Sequence, residues 1–264
     1  YIPGTDTCLK IGGWVRQYLG VNANSNLTNG ALGSGNVNTR ASNNGWNWKA
    51  RGYITADART QTEFGTLRGY IAVGGSTQGQ SGNSAFNSNR AFIQLAGFTF
   101  GVAQSFYDLY PAPALSYYGG MINPSSDTGD AGQTVSAYTA QFGNGLSATL
   151  SLEAPRTTNV VGPGSSLSNF WTTGPTTQSG AVRYPDIVAN VRMDASWGAA
   201  QIMGGIHDVA PLYYNATSGS SLNLAGPAYA TGFFVGAGIK LNAPMIGPGD
   251  YFSAQVNYAQ GATG

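Results

Sequence analysis

Lys49-Ala50-Arg51-Gly52-Tyr53-Ile54-Thr55-Ala56-Asp57-Ala58-Arg59 decides the fold. Its odd positions are polar or aromatic, and its even positions are Ala, Gly or Ile. Side chains that alternate with period two belong to a strand with one wet and one apolar face. Nearer the start, Lys10, Gly12, Trp14, Arg16 and Tyr18 alternate with Leu9, Ile11, Gly13 and Val15. Arg68 and Tyr70 oppose Leu67, Ile71 and Val73, and Arg90, Phe92 and Gln94 oppose Ala91, Ile93 and Leu95.

Carried along the chain, this reading predicts about eleven strands and no helix. Short turns are expected near 60–64, 143–145, 197–199 and 243–250, with Gly143-Asn144-Gly145 as an Asn-Gly hairpin turn. Long loops are expected at 19–46, 76–88, 105–134, 155–183 and 209–226. Tight turns on one rim and long loops on the other are the pattern of a transmembrane barrel. No apolar run approaches the roughly 18–20 residues of a membrane helix, which leaves a barrel as the way to span a bilayer. The predicted fold is all-β: a transmembrane antiparallel up-and-down β-barrel, one domain over residues 1–264.

Composition agrees without deciding. Charged residues are 9%, against about 25% in ordinary soluble proteins. Gly numbers 39 and aromatics make 12%, with a mean hydropathy of −0.13. A secreted Gly/Ser/Thr-rich β protein would share these values. No basic cluster suited to nucleic acid is present. Tyr1-Ile2-Pro3-Gly4 lacks the basic start and apolar core of a signal peptide, so any signal is expected to have been removed. The lone Cys8 reads as a small buried residue.

The net charge of +1 hides a separation. Residues 1–104 hold eight bases against three acids, net +5, whereas 105–155 hold four acids and no base, net −4. Lys10, Arg16, Lys49, Arg51, Arg59, Arg68 and Arg90 share the polar faces of four consecutive strands. Outside a barrel, each charge at mid-membrane would cost about 2–4 kcal/mol, which drives these bases inward. The overlong loop 105–134 carries Asp108, Asp127 and Asp130 and is expected to fold into the pore against them. Rings of opposite charge in a narrow wet channel set ion selectivity. Two other readings of the acids exist: Asp127 and Asp130 as a carboxylate pair for glycoside chemistry, or the loop as a Ca2+ site through oxygen ligands. His207 reads as a pore-facing polar residue.

Four stretches carry a family resemblance: Tyr1 to Gly13 (YIPGTDTCLKIGG), Ala91 to Gly97 (AFIQLAG), Asp186 to Arg192 (DIVANVR) and Gly247 to Phe252 (GPGDYF). In that order they resemble mature porins of the alphaproteobacterial, Rhizobiales and Brucella type. The resemblance implies a homotrimeric channel of sixteen antiparallel strands in the outer membrane of a Gram-negative cell. Outer-membrane lipid and lipopolysaccharide would surround it, and the third external loop, here 105–134, would fold inward as the constriction. It implies passive diffusion of small hydrophilic solutes and ions, with no cofactor and no reaction. The family pattern also has a short Cys-containing segment ahead of Tyr-Ile-Pro-Gly, a disulfide partner for Cys8 that this sequence lacks. With about eleven strands visible, the chain reads as part of such a porin. A substrate-selective channel is the near alternative; from other classes come a secreted β-rich binding or adhesion protein and a secreted β hydrolase.

Overall fold

The computed structural model describes residues 4–21, 46–78, 84–109, 132–155, 182–210 and 228–262, without the side chains of 18–21, 46–49, 76–78, 84–85 and 87. Among the described residues there are eleven strands and no helix. In chain order they are β1 (Thr7–Val21), β2 (Trp46–Thr62), β3 (Gly65–Gln78), β4 (Ser84–Leu95), β5 (Phe98–Ala103) and β6 (Gln133–Gly143). β7 (Leu146–Glu153), β8 (Asp186–Ala195), β9 (Gly198–Val209), β10 (Ala230–Asn242) and β11 (Tyr251–Gln260) follow. All form one sheet in sequential order, each antiparallel to the next. β1 and β2, at 15 and 17 residues, exceed the roughly 9–11 that a tilted strand needs to cross a bilayer.

The short rim is built by tight turns. Ala96 and Gly97 both have positive φ between the paired Leu95 and Phe98, as do Asn144 and Gly145 between β6 and β7. Two consecutive left-handed residues make the hairpin turn whose twist matches the strands it joins, and Asn-Gly adopts it at the least steric cost.

Period two sorts the side chains as expected. Ile11 and Val15 on β1 are 69% and 86% exposed, Ile202 on β9 is 68% and Val256 on β11 is 71%. These rows continue through Ile54, Ile93, Phe100, Leu150, Val191 and Phe233, an apolar face far wider than a soluble monomer leaves in water. Phe64, Phe98, Phe142 and Trp197 mark it at the short-turn rim, as aromatic girdles do at a membrane interface. At the long-loop rim, Arg183 lies over Tyr229 at 4.3 Å and donates to Asp208 at 2.5 Å. That hydrogen bonding raises the pKa of the Arg183 guanidinium above its ordinary value.

The buried apolar cluster is not sandwiched between two layers. Tyr107, Leu109, Val188 and Met203, with Phe106 and Phe234 packed against them, lie on the inner face, where the chain leaving β5 settles onto β8, β9 and β10.

Two expectations are corrected. The loop expected over 76–88 is mostly strand: β3 runs to Gln78 and β4 starts at Ser84. A bulge opposite Ala72/Val73 admits Asn89 as an extra residue, so polar and apolar positions exchange parity there and the alternation is lost to the eye. Cys8, expected to be buried, is exposed; it stands opposite Arg59 on the polar face.

Candidate permeation site

The polar faces of β1–β4 form one wall. Register sets Lys10 opposite Asp57, Arg16 opposite Arg51, and Arg59 opposite Arg68, with Gln94 next across β4. Asp57 is the hub of this wall. Its carboxylate accepts two hydrogen bonds from Arg59, at 3.1 and 2.9 Å, and two from Arg68, at 3.1 and 3.0 Å. A fork-to-fork pair fixes the guanidinium plane as well as its charge. Arg68 Nη1 also donates to Gln94 at 3.1 Å. Arg90 is half-buried and donates to the Asn89 carbonyl, while Lys10, Arg16 and Arg59 are exposed on the same face.

Aromatic rings stand between these bases. Trp14 stacks on Tyr53 across β1 and β2 at 4.8 Å, with Arg16 over Trp14 at 4.9 Å. Tyr70 stacks on Phe92 across β3 and β4 at 5.3 Å.

The opposite wall receives the loop. Ser105 starts a turn: its carbonyl accepts from Asp108 N at 3.2 Å and its hydroxyl from Tyr107 N at 3.1 Å. The backbone polar groups that this turn exposes are met by wall side chains. Glu153 accepts from Phe106 N at 2.9 Å; Asn190 donates to the Phe106 carbonyl at 2.5 Å. Gln201 Nε2 reaches the Phe106 and Tyr107 carbonyls, both at 3.3 Å, and Arg192 reaches that of Leu109 at 3.4 Å. Buried backbone needs such partners, and here the wall supplies them. Tyr107 then spans to β11, donating its hydroxyl proton to Asn257 Oδ1 at 2.9 Å, with its ring edge-on to Phe234 at 4.9 Å.

Glycine makes room for this contact. A Cβ at Gly236 would lie 2.7 Å from the Tyr107 hydroxyl, and one at Gly238 would lie 2.4 Å from Leu109 Cδ2. With no side chain on the inner face at either position, the loop can rest on the strand backbone.

Asp108 is 6% exposed. It shares with Arg68 and Arg90 a cavity of about 700 Å3 between the turn and the β3–β5 wall. Asp127 and Asp130 lie outside the described residues, as does the Lys49 side chain. Three further acids belong to the far wall: Glu153 under the loop, Asp186, and Asp194 paired with Arg192 at 2.8 Å. Asp186 accepts from, or donates to, His207 Nδ1 at 2.6 Å, both buried on the inner face. Among the described residues no group of three His, Cys, Asp or Glu side chains is placed to hold a metal ion.

Residues 1–263 match the family described as the Porin subfamily. This chain belongs to that porin family. Porin Omp2b of Brucella abortus is 27% identical over 210 residues, which cover 75% of this chain and 51% of the relative. Outer membrane protein y4fJ of Sinorhizobium fredii is 38% identical over 118 residues, 41% of this chain and 30% of that protein. The chain therefore spans about half the length, or less, of the curated relatives it matches. Among solved structures, the outer membrane channel DcaP of Acinetobacter baumannii aligns with a TM-score of 0.60 at 14% identity. That alignment covers 98% of this porin chain and 66% of DcaP, a likeness of fold.

Proposed function

We propose that the whole protein is an outer-membrane porin, a water-filled channel through which small hydrophilic solutes and ions diffuse passively. The observation that carries this is the first turn of the loop, seated on the polar face of the sheet while the other face is apolar and exposed. Only a barrel with a wet interior satisfies both faces in a membrane. Lipid does not tolerate the edges that β1 and β11 leave unpaired among the described residues, so in the whole protein the sheet closes into a barrel, of sixteen strands as the resemblance to Rhizobiales and Brucella porins implies. Three copies assemble as a homotrimer among outer-membrane lipid and lipopolysaccharide.

The eyelet lies between the loop acids Asp108, Asp127 and Asp130 and the basic wall of Lys49, Arg51, Arg68 and Arg90, flanked by Lys10, Arg16 and Arg59. Asp108 supports this reading by sharing its cavity with Arg68 and Arg90. Neutralising Asp127 and Asp130 shifts selectivity towards anions; neutralising Arg51 and Arg68 shifts it towards cations. Unchanged reversal potentials under a salt gradient in both variants would remove the eyelet and leave the barrel.

A further inference from the structure

The inner wall carries more apolar surface than an ion path needs. Trp14, Tyr53, Tyr70 and Phe92 occupy one strand each of β1–β4, all on the inner face, in two cross-strand stacks. The β6–β8 positions that line the same cavity are polar, among them Thr139, Gln141, Ser147, Thr149 and Asn190. Among the described residues, the strand-borne rings that line this cavity, Tyr70 and Phe92, stand on the wall that carries Arg68 and Arg90, and Phe106 of the turn faces them.

Arg68 ties its stack together. Its Cζ lies 5.3 Å from the Tyr70 centroid and 5.3 Å from that of Phe92. Its Nε and Nη2 are bonded to Asp57, and its Nη1 to Gln94. A guanidinium held by its edges in this way presents its face, and faces stack. Guanidinium, phenol and phenyl pack as one stacked platform on the wall of the 700 Å3 cavity, opposite Phe106 and Asp108. That volume lies in the range of small-molecule sites.

We infer that this platform is a binding station for small aromatic carboxylates on their way through the channel. A flat ring is matched by stacking on Tyr70, Phe92 and Arg68, at a desolvation cost that a non-planar ring would share without the stacking gain. The carboxylate is drawn by the wall as a whole, whose described side chains Lys10, Arg16, Arg51, Arg59, Arg68 and Arg90 outnumber Asp57 on the same strands and Asp108 across the cavity, while Asp194 is paired with Arg192. The inference rests on the porin reading and goes beyond it by naming a solute class.

The test is current block in planar bilayers by the full-length protein. Benzoate and cyclohexanecarboxylate carry the same charge on rings of similar size, one flat and one puckered. Benzoate is expected to half-block at a concentration roughly 2- to 10-fold lower, the range that an aromatic pair is worth beyond its buried area. Phe92→Leu and Tyr70→Leu channels should each lose that preference. The wild-type comparison stands by itself if a variant fails to fold. Equal block by the two acids in conducting wild-type channels overturns the station while the channel stands; block by benzylamine equal to that of benzoate overturns the assignment to carboxylates. A protein that forms no channel overturns both readings.

Discussion

Leu109 rests on Gly238 so closely that a single added carbon would collide with it: a Cβ there falls 2.4 Å from Leu109 Cδ2 and 3.2 Å from Leu109 Cβ. The turn that follows β5 is therefore located by what β10 lacks.

Gly238→Val should push the turn off β10. Overpacking a fitted contact costs about 1–3 kcal/mol, and the loop can escape it by lifting into the lumen. The expected result is an altered single-channel conductance with noisier open states, with strand content by circular dichroism retained. Wild-type conductance and noise would show that the loop is not held at this point.

Tyr107→Phe removes the hydroxyl that bridges loop and β11. The loss should be at the low end of the roughly 0.5–1.5 kcal/mol for one hydrogen bond, because Asn257 Oδ1 also accepts from Gln255 at 2.9 Å. Hydrogen exchange at Phe106 to Leu109 should accelerate by about two- to threefold. Unchanged exchange would take the bridge out of the account.

Asp57→Asn leaves Arg59 and Arg68 without their shared carboxylate. The wall gains one positive charge, so the reversal potential under a KCl gradient should move towards chloride. The shift should shrink at high salt, as the Debye length falls from about 10 Å at 0.1 M to about 3 Å at 1 M. A shift towards potassium would contradict the inner placement of this cluster.

The face assignment has its own test. Ile54 points outward and its neighbour Thr55 inward. Ile54→Lys should destabilise the folded protein in bilayers by about 2–4 kcal/mol if the position is near mid-membrane, read as a lower urea midpoint of the heat-modifiable form. Thr55→Lys should cost far less, since its charge stays in water. Equal costs would mean that the two faces do not meet different media.

Strand number and facing were legible because lipid on one side and water on the other write period two directly into the sequence. β4 was legible only in part. The bulge at Asn89 moves Phe86 onto the outer face while Arg90 stays on the inner one, although both positions are even. The basic wall was legible as a set of residues, but its pairing through Asp57 required register. The anchoring of the loop was not legible at all. Glu153, Asn190 and Gln201 are polar strand residues with no local signal of a partner, yet they serve the backbone of Phe106 and Tyr107. The available signal was Gly236 and Gly238, two inward positions of β10 with no side chain, which local pattern reads only as packing.

Single-channel recording of the purified full-length protein tests the central claim most directly. The account predicts stepwise, ohmic openings of uniform size, altered in size or noise by Gly238→Val. Detergent-extracted, folded protein that gives no conductance steps would contradict it.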